Sequence, residues 1–226
     1  MRKPTVDYRN LRFNNLFSPE YRHLLLLFGW VVYFVFYYLT ERFIPAEKCF
    51  PVHSPLDDLI PFCEYFIIPY VLWYLFVFGS LLYFLLYNVE NFVNLQKFLI
   101  ITQIVAMVVY IVFPNRQDLR PEAFVNDNFF TDVVGLIYSI DTNTGVCPSL
   151  HVAYSIGIAS TFLKEKSVSA VAKAFIILFA LSVCVSVVFV KQHSVVDIFA
   201  ALLLCLLAEF LTFRKYYNKN KTASEA

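Results

Sequence analysis

Residues 65–87 read YFIIPYVLWYLFVFGSLLYFLLY, an unbroken run without a single charge. A helix that crosses a bilayer core takes about 20 mainly apolar residues. In lipid every backbone N–H and C=O must also be paired within the segment. This stretch therefore predicts a membrane-spanning helix, and it sets the frame for the rest of the chain. Working outward, similar stretches cover 24–40, 98–113, 149–163, 169–190 and 194–213, of which 98–113 and 149–163 are short and draw on flanking residues. Residues 132–140 (DVVGLIYSI) are apolar but too short to cross, and read as an interfacial or re-entrant piece. The expected fold class is an all-α membrane protein with six transmembrane helices and that short segment before the fourth.

Composition agrees. Of the 226 residues, 59% are hydrophobic and 15% charged, with a mean hydropathy of +0.63. Soluble domains average about 45–50% apolar and about 25% charged, so a water-soluble domain is excluded. Five Gly and ten Pro exclude collagen-like and low-complexity chains. A net charge of +1 gives no case for a nucleic-acid partner; the bilayer is the expected one. Four histidines are too few for a multi-histidine di-iron membrane oxygenase. A cleaved signal peptide is disfavoured, because a long polar lead precedes the first apolar run and no small-residue cleavage site follows it. Cys184 and Cys205 lie in apolar runs and read as small hydrophobes. Cys49 and Cys63 share one loop and are candidates for a disulfide if it faces an oxidising compartment.

Three parts follow along the chain. Residues 1–22 form a basic, aromatic-rich segment suited to the headgroup layer, with Ser18-Pro19-Glu20 as a helix start. Residues 23–214 form the six-helix domain, and 215–226 a polar, disordered tail. Thirteen of the eighteen Lys and Arg fall on the two tails and the second and fourth loops, so both termini are expected in the cytoplasm. The remaining five, Arg42, Lys48, Arg116, Arg120 and Lys191, fall on the far side.

Polar clusters gather on that far side. Phe113 to Pro121 (FPNRQDLRP) follows the third span, Cys147-Pro148-Ser149-Leu150-His151 opens the fourth, and Lys191-Gln192-His193-Ser194-Val195-Val196-Asp197 opens the sixth. Nothing between Arg120 and Ser149 is long enough to cross, and two spans separate Ser149 from His193, so all three clusters meet on one face. His193 and Asp197 are four apart on one helix face. Such an Asp fixes the histidine tautomer and leaves the other ring nitrogen as a nucleophile. Pro148-Ser149 puts a hydroxyl and unpaired N–H groups at a helix start, a ready anion site. His151 lies within proton-transfer reach of that anion, while Arg116, Arg120 and Lys191 can neutralise phosphate oxygens. No cluster supplies a metal-ligand set, so metal-free phosphoryl transfer without a cofactor is the chemistry these residues describe. His23 and His53 read as interfacial, Lys173 as snorkelling and Glu209 as reaching the interface. Asp197, inside a span, reads as functional.

These residues resemble the type 2 phosphatidic acid phosphatase superfamily, whose pattern is Arg-Pro, then Pro-Ser-x-His, then His with Asp four residues on, over a six-helix core. The resemblance covers about residues 98–213. It implies His193 as nucleophile, Asp197 as its orienting partner, His151 as general acid, and Ser149 and Arg120 as phosphate ligands. The pattern departs at Leu150, where Gly is usual, at Phe113 for Lys, and at Val187 for Arg; Arg116 is expected to substitute for the missing lysine. Lys191, two residues before His193, is similar to the branch of inositol phosphorylceramide and sphingomyelin synthases. The acceptor is therefore water or an alcohol.

The first expectation is metal-independent hydrolysis of a lipid phosphate monoester or pyrophosphate through a phosphohistidine, at the extracytoplasmic face of the plasma membrane. The second is transfer of a phospho-headgroup to an alcohol. A transporter or non-catalytic lipid-binding relative is the rival from another class. A midplane site between broken helices would favour transport, whereas here the polar residues sit at helix ends.

Overall fold

The computed structural model describes residues 3–224, and side chains for 3–218. The described chain forms α1 (Phe28–Phe43), α2 (Pro55–Leu59), α3 (Ile67–Tyr87), α4 (Val89–Val112), α5 (Phe129–Ile140), α6 (Leu150–Lys164), α7 (Ala170–Phe189) and α8 (Val195–Ser224). Two short strands, β1 (Phe50–Pro51) and β2 (Asn115–Arg116), pair in parallel and tie the loop after α1 to the loop after α4. The fold is that of an all-α membrane protein.

Among the described residues, five stretches are long and apolar enough to cross a membrane: Arg22–Phe43, Glu64–Tyr87, Val89–Val112, Ala170–Phe189 and Val195–Asn218. The last four bury part of their surface and turn large apolar side chains such as Leu75, Phe78, Phe175 and Leu203 outward, as a lipid-facing surface requires, while α1 buries no residue fully. The expected fourth span is different. α6 has 15 residues, about 22 Å of helix at 1.5 Å per residue against a core of about 30 Å. It packs against α4, α7 and α8, with Val152, Ala153, Tyr154, Ile158 and Phe162 buried. Gly157 makes that enclosure possible, because a Cβ there would lie 2.5 Å from the Phe98 ring of α4. α6 runs alongside α8: Ser149 N–H donates to the Asp197 carbonyl at one end (3.2 Å), and Ser160 and Lys164 meet Glu209 at the other.

α4 begins at Val89, well before the apolar stretch expected from residue 98. The Asn88 side chain caps it by accepting from Asn91 N–H (3.1 Å), and Phe92 and Leu95 are already buried. α5 is the short apolar helix expected before α6, started by Asn128, whose side chain accepts from the N–H groups of Phe130 and Thr131. Ser18 does not start a helix. A 3-10 run at Arg22–Leu27 leads into α1 instead, because Tyr21 and His23 turn inward. Tyr8 bonds His23 Nε2 (2.8 Å) and donates to the Leu85 carbonyl, docking the N-terminal segment on the end of α3. His23 is thus buried, not interfacial. The tail expected to be disordered continues α8 to Ser224, since no Gly or Pro interrupts its Lys- and Tyr-rich sequence; residues 225–226 lie outside the described residues.

The five cysteines are free thiols. Cys49 is buried with its Sγ toward the Pro45 carbonyl (3.7 Å), whereas Cys63 is held by its N–H to the Phe189 carbonyl at the end of α7. Different anchors keep the expected pair from forming a disulfide.

Candidate active site

Side chains from the α4–α5 and α5–α6 loops first build a platform for α6. Asn115, fully buried, accepts with Oδ1 from the N–H groups of Val146 (2.9 Å) and Cys147 (2.8 Å), and donates back to the Cys147 carbonyl (3.0 Å). Tyr110 of α4 donates to the Pro148 carbonyl (2.8 Å). Gly145, at φ +62, takes a left-handed turn against the Tyr110 ring, where any Cβ would be strained. These contacts fix Ser149 as the N-cap of α6, its Oγ 3.5 Å from Val152 N–H.

The loop from α7 to α8 is fixed as tightly. Gln192 and His193 both donate backbone N–H to the Val187 carbonyl (3.0 Å each). His193 Nδ1 lies 3.1 Å from Asp197 Oδ2, which also accepts from Ser194 N–H (2.9 Å). Asp197 is fully buried, and its Oδ1 has no hydrogen-bond partner. Cys147 lies against the same carboxylate; burial first, and then that charge, push its thiol up to about 12, so it stays protonated.

A residue outside every motif holds this loop from the other side. Asp57, in α2, is 2% exposed and accepts from the Ser194 hydroxyl (2.6 Å), Val195 N–H (2.8 Å) and Ser54 N–H (2.8 Å). It places a negative charge on the start of α8, where the helix dipole favours it. The Ser54-Pro55-Leu56-Asp57 capping pattern predicts a short helix here, but no sequence signal points to its partner on α8.

His151 lies on the first turn of α6, its ring 5.7 Å from the His193 ring in an edge-on arrangement. Tyr70 stacks on it at 4.6 Å and Trp73 packs at 4.2 Å, both from α3. Its Nε2 is buried without a partner. Arg120 donates to the Gln192 side chain (2.6 Å) and to the carbonyls of Asp141, Thr142 and Tyr138. It also lies over the Tyr138 ring at 4.4 Å. Burial lowers its pKa from the ordinary arginine value, with Asp141 opposing.

The two other basic residues stand apart. Arg116 pairs with Asp118 (3.0 Å) and donates to the carbonyls of Ala46 and Cys49. Lys191, 8% exposed and at φ +52, donates its ammonium to the carbonyls of Asp57 and Ile60. Burial lowers its pKa, against the opposing charges of Asp57 and Asp58. Both cations crosslink loops around the site because β2 and the α7–α8 turn carry them toward open carbonyls. The structure thus brings together Ser149, His151, Arg120, His193 and Asp197, and it adds Asp57, Asn115, Tyr70, Trp73, Gln192 and Asp141.

A cavity of about 350 Å³ ends at His151 and His193. Its walls come from Trp30, Tyr33, Phe34 and Tyr37 of α1 and Trp73, Tyr74 and Phe78 of α3, with Asp141 and Gln192 at the histidine end. Phe34 and Phe78 are also largely exposed, so the cavity borders the lipid-facing surface. A histidine with a carboxylate on one ring nitrogen and a second histidine close by can supply a nucleophile and a proton donor beside an apolar approach.

Residues 117–221 match the family model of the PAP2 superfamily. Over that stretch the chain is similar to the PAP2 superfamily. The matched PAP2 segment holds Arg120, Ser149, His151, Lys191, His193 and Asp197, but neither Arg116 nor the helices α1 and α3 that line the cavity. Comparison with curated proteins and with solved structures gives no match.

Proposed function

We propose that this integral membrane protein is an enzyme that breaks a phosphate ester of a lipid through a phosphohistidine on His193. The PAP2 match supports phosphatase or phosphotransferase chemistry on lipid phosphates in general. The observation that carries the finer reading is the His193–Asp197 pair facing the His151 ring at the inner end of an aromatic cavity. With Nδ1 donating to Asp197, the lone pair lies on His193 Nε2. Attack by Nε2 forms a P–N bond as the P–O bond to the leaving alcohol breaks, and His151 gives that oxygen its proton. Water then attacks phosphorus, its proton passes to His151, and the P–N bond breaks to regenerate His193. An alcohol in place of water gives headgroup transfer with the same residues.

The Gln192 amide nitrogen, buried and unpartnered, is the donor for a phosphate oxygen, with Arg120 behind it. Ser149 serves as the cap that aims α6 at the phosphate. The proposed orientation puts both termini in the cytoplasm of a plasma-membrane protein with six crossings, the site opening outside; the Lys/Arg distribution supports it.

Rapid-quench labelling with a radioactive aryl phosphate tests the chemistry. The wild-type chain should trap an acid-labile phosphoenzyme that is absent in His193→Ala and unaffected by chelator. Labelling that persists in His193→Ala would overturn the assignment. For orientation, cysteines introduced at Val125, 99% exposed on the histidine side, and Phe13, 89% exposed at the other end, should differ. With Cys63 and Cys147 replaced by Ser, an impermeant thiol reagent on intact cells should label only Val125→Cys, and labelling of only Phe13→Cys would reverse the topology.

A further inference from the structure

The cavity that ends at His193 is poorly built for a bare phosphate. Among the described residues its walls hold no Lys or Arg, and their one carboxylate is Asp141. Arg116 and Lys191 are turned to backbone carbonyls elsewhere, and Arg120 is spread over three carbonyls and Gln192. Asp141 receives the Tyr70 hydroxyl at 3.3 Å, and Tyr70 in turn stacks on His151. A second carboxylate, Glu41 at the end of α1, lies just beyond and accepts from the Thr142 hydroxyl (2.6 Å). A phosphomonoester dianion would meet this acidic end with little to offset it.

The remaining lining is aromatic. Trp30, Tyr33, Tyr37, Trp73 and Tyr74 all line the space, with Asp141 in the same wall. Electron-rich rings lining a void together with a carboxylate are a recognised way of holding an ammonium group. The buried Gln192 Nε2, which has no partner, adds one neutral donor suited to the single charge of a phosphodiester.

We propose that the lipid this site takes is a phosphodiester carrying an ammonium headgroup, with Asp141 and the α1–α3 aromatic walls holding the ammonium and His193 facing the phosphorus. The proposal rests on the lipid-phosphate reading above and narrows its substrate from a lipid phosphate ester to an amine-bearing diester. It also makes the headgroup side, not the acyl chains, the determinant of specificity.

Occupancy can be read without turnover, because Trp30 and Trp73 are the chain's two tryptophans and both line the cavity. The full chain in detergent is titrated with dihexanoyl phosphatidylcholine, dihexanoyl phosphatidylglycerol, dihexanoyl phosphatidic acid and free phosphocholine while tryptophan emission is followed. Phosphatidylcholine should give a saturable change at roughly ten-fold lower concentration than phosphatidylglycerol, which has the same phosphodiester charge and no ammonium. Phosphatidic acid and free phosphocholine should bind more weakly still. Asp141→Asn should erase the preference for phosphatidylcholine over phosphatidylglycerol, while Asp132→Asn, an exposed acid on α5, should keep it. Equal binding of the two diesters, or tighter binding of phosphatidic acid, overturns the proposal, and neither result needs a variant to fold. Free phosphocholine binding as tightly as the lipid overturns the lipid assignment. The two readings fail separately. With a radioactive aryl phosphocholine diester as the labelling probe, phosphatidylcholine preference without a phosphoenzyme removes the enzyme and keeps the ammonium site; a phosphoenzyme with phosphatidic acid preferred does the reverse.

Discussion

The two ends of the helix bundle both bury charge, and they treat it in opposite ways. At the end away from the histidines, Lys164 meets Glu209 at 2.6 Å, and Glu209 also accepts the hydroxyls of Ser160 and Tyr217 at 2.6 Å each. Beside it Glu165, 4% exposed, accepts from Asn88 (2.6 Å), Asn91 (2.9 Å) and both the hydroxyl and N–H of Ser167. At the histidine end, Asp197 Oδ1, His151 Nε2, Gln192 Nε2 and Arg120 Nε are buried with no partner. An unmade bond of this kind costs stability, about 1–3 kcal/mol each. Ser18 Oγ, Gln96 Nε2 and Thr212 Oγ1 also lack partners away from the histidines, but the buried charges there are paired, whereas unmade bonds on ionisable groups gather at the end that carries the proposed site.

Variants at matched positions can break this comparison. The largest expected effect is on chemistry: His193→Ala should reduce turnover and phosphoenzyme to background. His151→Ala should cost about 10²–10⁴-fold on a lipid ester and far less on an aryl ester, whose leaving group needs no proton. At the other end Glu209→Ala should leave phosphoenzyme per folded molecule unchanged, yet lose about 3–5 kcal/mol of stability by stranding Lys164, measured as thermal unfolding in detergent. Equal losses of chemistry at both ends would dissolve the distinction.

Asp57 sharpens it, being a fully bonded group at the reactive end. Asp57→Asn should lower kcat by roughly 10-fold to 10²-fold through misplacement of the loop that carries His193, with KM unchanged. A rise in KM at constant kcat would make Asp57 a substrate-binding residue instead. Smaller still, Gly157→Ala should cost about 1–3 kcal/mol by pressing a methyl into the Phe98 ring, with no change in activity per folded molecule. The smallest effect concerns Cys147. Because its thiol is pushed up to about 12, its alkylation rate should stay low and nearly flat between about pH 7 and 9, where a thiol of ordinary pKa near 8.5 accelerates.

Much of the reactive end was legible in the sequence, and for a specific reason. The His193–Asp197 spacing is a local helical relation, and Pro148-Ser149 is a local helix start; both survive folding because they depend on neighbours within one turn. The basic residues were legible only as charges. Apart from the Arg-Pro pattern at Arg120-Pro121, nothing local separates Arg120, which reaches Gln192, from Arg116, which is drawn to the carbonyls of Ala46 and Cys49 across the β1–β2 pair. The shortness of α6 was legible in the sequence, but its enclosure was not, because apolar content does not distinguish a lipid-facing helix from one wrapped in protein.

By itself the sequence determined the membrane class, the apolar stretches and the histidine–aspartate pair, all consequences of composition and of spacing within a helix. Only the tertiary structure decided which partners meet. It brought Asp57 from the α1–α3 loop onto the start of α8, set Tyr70 and Trp73 on His151, and left Asp141 without a lysine or arginine on the cavity wall. Those contacts join residues far apart in the chain, and their energies come from desolvation and shape, which no local pattern encodes.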